Sequence, residues 1–382
     1  MVKKVITPEN PQEDNTGIVQ QPPASLESSL AINPYVNHKS IMEYRENKPF
    51  FDTGIPSLNY ALRKESGDGL PIGLFIELLG EDKSGKTALL IYLAKTILDG
   101  GGIVVWLQNE CDLDRERCVK YGLDWDKYVA SGQLLILEFV SIEETFTYME
   151  VQLDRIIGFR KKGETRTIGM FLDSLVFNTN SITENNKVGV RDQGWSNELL
   201  KQFINKCHIK LIQARVLMIA TNQLDKSENK WEKSHLRNRG KGGGKVIRYA
   251  IAGQILIEKF REWDSGSGYS TIVTIRNTKF GEPNKKTMLD FIYDTGLVPH
   301  SGIFHILDDS KFWKKQDGHG ERLGSSGNKK FYHEKLATPF MMDKLWEDDN
   351  IREFMIQDLK YYYQNKIFKT TKADSDESGG ME

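Results

Sequence analysis

The chain has 382 residues, with 52 Lys+Arg against 53 Asp+Glu and a formal net charge of −1. That length suits one large core with a smaller companion, and 39% apolar with 27% charged residues suits a globular protein. The balanced charge argues against a uniformly basic nucleic-acid binder, the want of a long apolar run against a membrane span, and three cysteines without a CxxC against a disulfide framework.

Residues 1–38 are polar and punctuated by Pro8, Pro11, Pro22, Pro23 and Pro34. They cannot bury enough apolar surface to offset their ordering entropy, so a flexible arm is expected. Their start has no apolar core of the export-signal kind, which makes the cytoplasm the expected compartment. IMEYREN (41–47) reads as a short helix stopped by Pro49. Apolar runs at 74–79, 103–108, 134–139, 168–172, 216–220, 254–258, 270–275 and 287–292 then read as buried strands. Helical periodicity at 88–98, 141–157 and 196–214 separates the first five. This alternation predicts an α/β fold with a mostly parallel central sheet flanked by helices. The closer spacing of the last three runs predicts an antiparallel extension at one edge. The expected layout is an arm (1–38), a core (39–300), a small C-terminal α/β domain (301–370) with a helix at 342–367, and an acidic tail (371–382).

The strongest local signal is GEDKSGKT at 80–87, a full match to GxxxxGK[ST]. Gly80, Glu81, Asp82, Lys83, Ser84 and Gly85 form the turn that lets backbone N–H groups face a phosphate, with a helix N-terminus behind them. Lys86 would sit on the β- and γ-phosphates of ATP, and the Thr87 hydroxyl would ligate Mg²⁺. An apolar run ends at Leu79 and another starts at Ala88, as this chemistry requires. A second run, IGMFLDS, ends in Asp173, read either as a Mg²⁺-associated acid or as an ordinary strand-terminal turn residue. A third, WLQNE, ends in Glu110, either a base for the attacking water or a surface residue. A fourth leads to Thr221, Asn222 and Gln223, either amides that sense a γ-phosphate or a simple turn.

Together FFDTGIPSLNYAL, GLPIGLFIELLGEDKSGKT, WLQNECDLD, FLDSL and IATNQ resemble the RecA-type recombinases in order and spacing. The short chain and diverged loops look most like the UvsX-type recombinases of tailed phages. The likeness spans about residues 50–300 and is most specific from Thr53 through Thr87. It implies a RecA-like ATPase core in a protein that filaments on single-stranded DNA, pairs it with a homologous duplex and exchanges strands. It also implies a DNA-dependent ATPase with ATP and Mg²⁺ as cofactors and self-association into helical filaments. A loader protein and a single-strand-binding protein are further implied partners, and a bacterial host cell the setting. By the resemblance Lys86, Glu110 and Gln223 are catalytic, with Thr87 and Asp173 on the metal. Asp114 and Arg117 fall where the family contacts adenine, with Arg117 in place of a tyrosine. Arg276 and Lys279 of TIRNTKF fall where the family reaches a neighbour's γ-phosphate, with Asn277 where a lysine is expected; Arg276 also reads as a plain strand residue. A ring helicase motor on the same fold, or a DNA-coating filament using ATP only as an assembly switch, are the competing readings.

Between residues 225 and 245, seven basic residues (Lys226, Lys230, Lys233, Arg237, Arg239, Lys241, Lys245) meet three acidic ones, a local +4. Those cations, Trp231 and four glycines suit a sequence-blind grip on a single strand through phosphate neutralisation and base stacking. A solvated basic loop is the plainer reading. Residues 177–195, with Lys187 and Arg191, are a second DNA-loop candidate by position alone. The basic and aromatic residues between Lys311 and Tyr332 read either as a duplex-DNA surface or as a solvated face.

Overall fold

Every apolar run expected from the sequence becomes a strand of one sheet, and in strands such as 103–108 and 216–220 alternate side chains meet an apolar layer on each face. The computed structural model describes residues 44, 46–63, 65–109, 113–139, 141–176, 193–224, 251–276, 278–309, 314–315, 321–323, 330–332 and 346–365. In chain order the elements are β1 (Phe50–Phe51), α1 (Pro56–Leu62), β2 (Leu70–Pro71), β3 (Phe75–Gly80), α2 (Lys86–Asp99) and β4 (Ile103–Gln108). There follow α3 (Arg115–Lys120), α4 (Trp125–Ala130), β5 (Leu134–Glu138), α5 (Ile142–Lys161), β6 (Ile168–Asp173), α6 (Gln193–Ala214) and β7 (Val216–Gln223). The chain continues through β8 (Gly253–Glu262), β9 (Gly268–Arg276), β10 (Lys286–Ile292), β11 (Gly296–Val298) and α7 (Ser301–Asp309). Short strands β12 (Lys314–Lys315), β13 (Glu321–Leu323) and β14 (Lys330–Tyr332) and the helix α8 (Asp349–Asn365) complete it.

The main sheet has nine strands in the order β11-β10-β9-β8-β3-β7-β6-β4-β5. From β8 through β5 every pairing is parallel, and β8 to β11 pair antiparallel. The fold is therefore the expected one, an α/β core with a largely parallel sheet, an antiparallel extension at one edge and an added C-terminal α/β segment. Three antiparallel strands, β12-β13-β14, form a separate small sheet in that segment.

Period-two alternation explains why the strands read as unbroken apolar runs. In β4, Val104 and Trp106 enter one apolar cluster while Val105 and Leu107 enter the other. In β7, Leu217 and Ile219 face the first cluster and Val216, Met218 and Ala220 the second. The first layer holds α2, whose Leu89, Leu93 and Ile97 pack there, and the second holds α5 and α6, stacked through Phe146 and Phe203 at 4.5 Å. Helix α5 begins where its sequence says it should: Ser141 caps it by accepting from the Glu144 N–H at 3.3 Å, with Glu143 and Glu144 in the first turn and Arg160 and Lys161 in the last. Helix α8 adds Phe354, Met355, Leu359 and Tyr363 to the first layer, and the Tyr363 hydroxyl donates to Lys286 O at 3.0 Å. Among the described residues, no helix is long and apolar enough to cross a membrane.

Beside α8, the buried His300 ring stacks on Trp346 with centroids 5.4 Å apart. Burial pushes its imidazole down to about 4 from the ordinary 6.5. The unfolded chain thus takes up this proton near pH 6.5 and the folded chain only near pH 4, so the folded state is fully favoured above 6.5 and loses that advantage as pH falls between the two. The loss amounts to roughly 3 kcal/mol. Denaturant titrations between pH 7 and 4 should show this slope, and His300→Phe, which keeps a ring against Trp346, should remove it.

Candidate functional site

The sheet delivers four strand ends to one edge, and the GxxxxGKT segment sits there as the turn from β3 into α2. Gly80 leaves no room for a side chain, since a Cβ would meet Ile257 O and Ser84 Oγ, each at 2.5 Å. Gly85 caps α2 in the left-handed region at φ 104°, a conformation glycine adopts without strain. The α2 ladder then starts with Leu89 N–H donating to Gly85 O at 2.9 Å. Glu81, Asp82 and Lys83 are exposed, while Ser84 and Gly85 are buried. The Lys86 ammonium folds back over its own turn and donates to Gly80 O at 3.0 Å and Glu81 O at 2.8 Å. A curled backbone at a helix N-terminus, with a lysine reaching across it, is a fitting cradle for a polyphosphate.

Thr87 and Asp173, 86 residues apart in sequence, come together here. The Thr87 hydroxyl donates to Asp173 Oδ2 at 3.0 Å, and the Thr221 hydroxyl donates to Oδ1 of the same carboxylate from the neighbouring strand β7. Asp173 is 8% exposed. A hydroxyl beside a carboxylate is a hard-oxygen pair that fits Mg²⁺, which takes one or two protein oxygens and leaves the rest to phosphate and water. No group of three or more His, Cys, Asp or Glu suited to a metal occurs among the described residues, and a Mg²⁺ of this kind needs none. Gln223 is the last residue of β7 and stands opposite Gly80 in the parallel register, with Leu224 N–H donating to Gly80 O at 3.1 Å. The amide-bearing end of β7 is thus held against the start of the turn.

Glu110 lies outside the described residues, but its predecessor Asn109 is tied down by hydrogen bonds. Its Nδ2 donates to Ser174 O and Val176 O, both at 3.1 Å, and its Oδ1 accepts from Ser174 N–H at 2.7 Å. Asn109 therefore ties the end of β4 to the end of β6, a role the sequence reading missed because it singled out only the acid beside it. Asp114 is occupied as the N-cap of α3, accepting from the N–H groups of Glu116 at 3.2 Å and Arg117 at 3.1 Å. The Arg117 guanidinium lies over the Tyr121 ring at 5.5 Å. Tyr121 packs on Gly296 of β11, and Tyr269, stacked on Phe291 at 5.2 Å, borders Gly85. Arg117 stacked over Tyr121, and Tyr269 beside Gly85, thus place a cation and aromatic rings near the turn. Only the first was legible; Tyr121 follows it by four residues, one helical turn on the same face, which is the signal available.

Arg276 ends β9 opposite Gln254, which itself stands opposite Glu77 in β3, so it sits below the level of Gly80. Lys279 is exposed, and its N–H donates to Ala252 O at 2.7 Å. Within one chain neither residue is brought to the phosphate turn. Asn277, Lys187, Arg191, Lys226, Lys230, Trp231, Lys233, Arg237, Arg239, Lys241 and Lys245 lie outside the described residues. Burial pushes the thiols of Cys118 and Cys207 up to about 12, so neither is a nucleophile at neutral pH.

No family model matches the chain. It is similar to Protein RecA of Paenarthrobacter aurescens, 24% identical over 332 residues that cover 84% of this chain and 90% of that protein. Protein RecA of Pseudarthrobacter chlorophenolicus is 25% identical over 335 residues, covering 84% and 89%. Protein RecA of Chloroherpeton thalassium is 25% identical over 263 residues, covering 68% and 67%. The likeness is distant and bacterial. Sequence and fold together resemble the RecA recombinase superfamily in general, whose layout the α/β core matches.

The crowding at Gly80 has a direct consequence. Gly80→Ala should cost about 1–3 kcal/mol of stability, because its methyl must displace a strand carbonyl or the Ser84 side chain. Thermal unfolding followed by circular dichroism measures this, and an unchanged midpoint would show that the turn yields freely.

Proposed function

We propose that the chain is an ATP-dependent DNA recombinase of the UvsX type, which filaments on single-stranded DNA, pairs it with a homologous duplex and exchanges strands. The observation that carries this reading is the junction at the strand ends, where Thr87, Asp173 and Thr221 share one carboxylate beside a GxxxxGKT turn. Support comes also from a likeness to bacterial RecA proteins that runs over most of the chain rather than over the turn alone.

On this reading residues 80–87 hold the phosphates of ATP, with Lys86 released from its own carbonyls to meet the β- and γ-oxygens. Thr87 and Asp173 hold Mg²⁺, which when bound neutralises charge on the phosphate oxygens. Arg117 on Tyr121 offers a flat cationic face for the base, since a guanidinium stacks on aromatic rings. Glu110 takes a proton from the attacking water and Asn109 fixes the backbone that carries it. Gln223 sits where a γ-phosphate is felt and leads directly into residues 225–245, whose +4 charge and Trp231 grip a single strand without reading its sequence. Lys187 and Arg191 add to that grip. Arg276 and Lys279, remote from the turn of their own chain, serve the site of the next protomer, which makes filament growth and nucleotide state interdependent. On this reading the C-terminal part is joined to the core through α8, whose Phe354, Met355, Leu359 and Tyr363 enter the first apolar layer, and the setting is the cytoplasm of a phage-infected bacterial cell.

Strand exchange between a circular single strand and a homologous linear duplex is the deciding assay, and open helical filaments rather than closed rings in the electron microscope distinguish the recombinase from a ring motor. Lys86→Ala should abolish ATP-dependent DNA binding; its retention would sink the coupling. Reversing charge at Lys241 and Lys245 should weaken single-strand binding, leave ATP binding intact, and flatten the slope of log affinity against log salt by about 0.7 per lost phosphate contact.

A further inference from the structure

One buried carboxylate stands apart from the metal-side chemistry. Glu77 lies in the middle of β3 and is 0% exposed. Its Oε1 accepts from Asn222 Nδ2 and its Oε2 from Gln254 Nε2, each at 2.6 Å. Asn222 and Gln254 are themselves 0% and 2% exposed. Glu77 faces Gln254 directly in the β3–β8 register, and Asn222 reaches it diagonally from β7, two residues beyond Ala220. Around the three, Phe75 on β3 itself and Met218 and Ala220 on β7 are buried and apolar.

A carboxylate in such a place gives up its hydration, and an apolar side chain of similar size would fill the space without that cost. What the carboxylate does that an apolar group cannot is bind two strands at once through charge-assisted hydrogen bonds. The two strands are informative. Asn222 immediately precedes Gln223, where β7 ends, and Gln254 is the second residue of β8. The chain between those strands contains the basic segment 225–245. Three residues beyond Glu77, β3 becomes the phosphate turn at Gly80. The same carboxylate therefore touches the strand that enters the basic segment, the strand that leaves it, and stands on the strand that carries the phosphate turn.

We infer that Glu77 is a positioning residue that couples the phosphate turn to both ends of the basic segment, an inference that rests on the nucleotide-switched DNA binding proposed above. A displacement of β3 at its carboxyl end is passed to β7 and β8 together, so that both ends of the segment move in register. The backbone ladders already hold β3 in register with both neighbours; the carboxylate adds a direct side-chain tie from β3 to Asn222, which precedes Gln223, and to Gln254.

The experiment uses the full chain and a fluorescent oligonucleotide, measuring single-strand affinity with and without a non-hydrolysable ATP analogue. Glu77→Met fills the space but removes both acceptors. It should reduce the ratio of the two affinities by at least about tenfold, within the usual range of coupling between sites, while nucleotide binding persists. Glu77→Gln should keep the ratio, because rotation of the neighbouring amides lets a neutral side chain exchange bonds with both. Asn222→Ala and Gln254→Ala, each removing one donor, should each lower the ratio; they serve as the test should the methionine variant not fold. A folded Glu77→Met variant with an unchanged ratio, or unchanged ratios in both alanine variants, overturns the inference. An unmodified chain whose DNA affinity ignores the nucleotide overturns the recombinase reading instead, so the two failures are told apart.

Discussion

The carboxylate of Asp173, held between the hydroxyls of Thr87 and Thr221, fixes the relation of three chain segments that are otherwise far apart. Thr87 opens α2, Asp173 ends β6 and Thr221 lies near the end of β7. An ionised carboxylate can only accept, and here both of its oxygens are engaged by donors from different segments. That arrangement is possible only because β6 and β7 are parallel neighbours, so their carboxyl ends reach the same edge. Parallel neighbours in turn demand a crossover, which α6 supplies, and the crossover demands apolar cover on both faces. The polar junction and the two apolar layers are thus one constraint seen at two scales.

A second tie strengthens the first. Asn109, at the end of β4, makes three hydrogen bonds to the backbone that follows β6. Side-chain amides can bridge in this way because each offers a donor and an acceptor in one plane. The ends of β4, β6 and β7 therefore present their polar residues as a row, while their interiors stay apolar. A polyphosphate approaching this edge would meet the Lys86 ammonium and the Asp173 carboxylate, the latter already engaged by two hydroxyls.

The core strands could be read from sequence because burial makes each a mainly apolar run bounded by polar residues, Glu77 within β3 being an exception. Helix α5 was equally legible, since Ser141 and Glu144 mark its start and its length exceeds five turns. Helices α3 and α4 were missed: six residues each give too little periodicity to see, although Asp114 and Asp124 cap them. Strands β1, β2 and β11 have two or three residues and carry no pattern at all. At the site the same rule holds. The phosphate turn was legible because its chemistry is contiguous, and Asp173 because it ends a run. The bonds of Asn109 to Ser174 and of Glu77 to Asn222 and Gln254 were not, since they join residues 65, 145 and 177 positions apart. Spacing within a segment cannot express them.

The balance of 52 basic and 53 acidic residues first pointed away from nucleic acid, yet the charge is unevenly spread. A +4 segment follows Gln223, and acid elsewhere offsets it. A uniformly basic surface would attract DNA at every nucleotide state and would repel a second copy of the same chain. The basic residues instead gather in stretches, one between 225 and 245 and another between Lys311 and Tyr332, and the first of these joins β7 to β8, the two strands that flank β3. Overall neutrality thus conceals local basicity, and the segment 225–245 lies in the chain between β7 and β8, the strands on either side of β3.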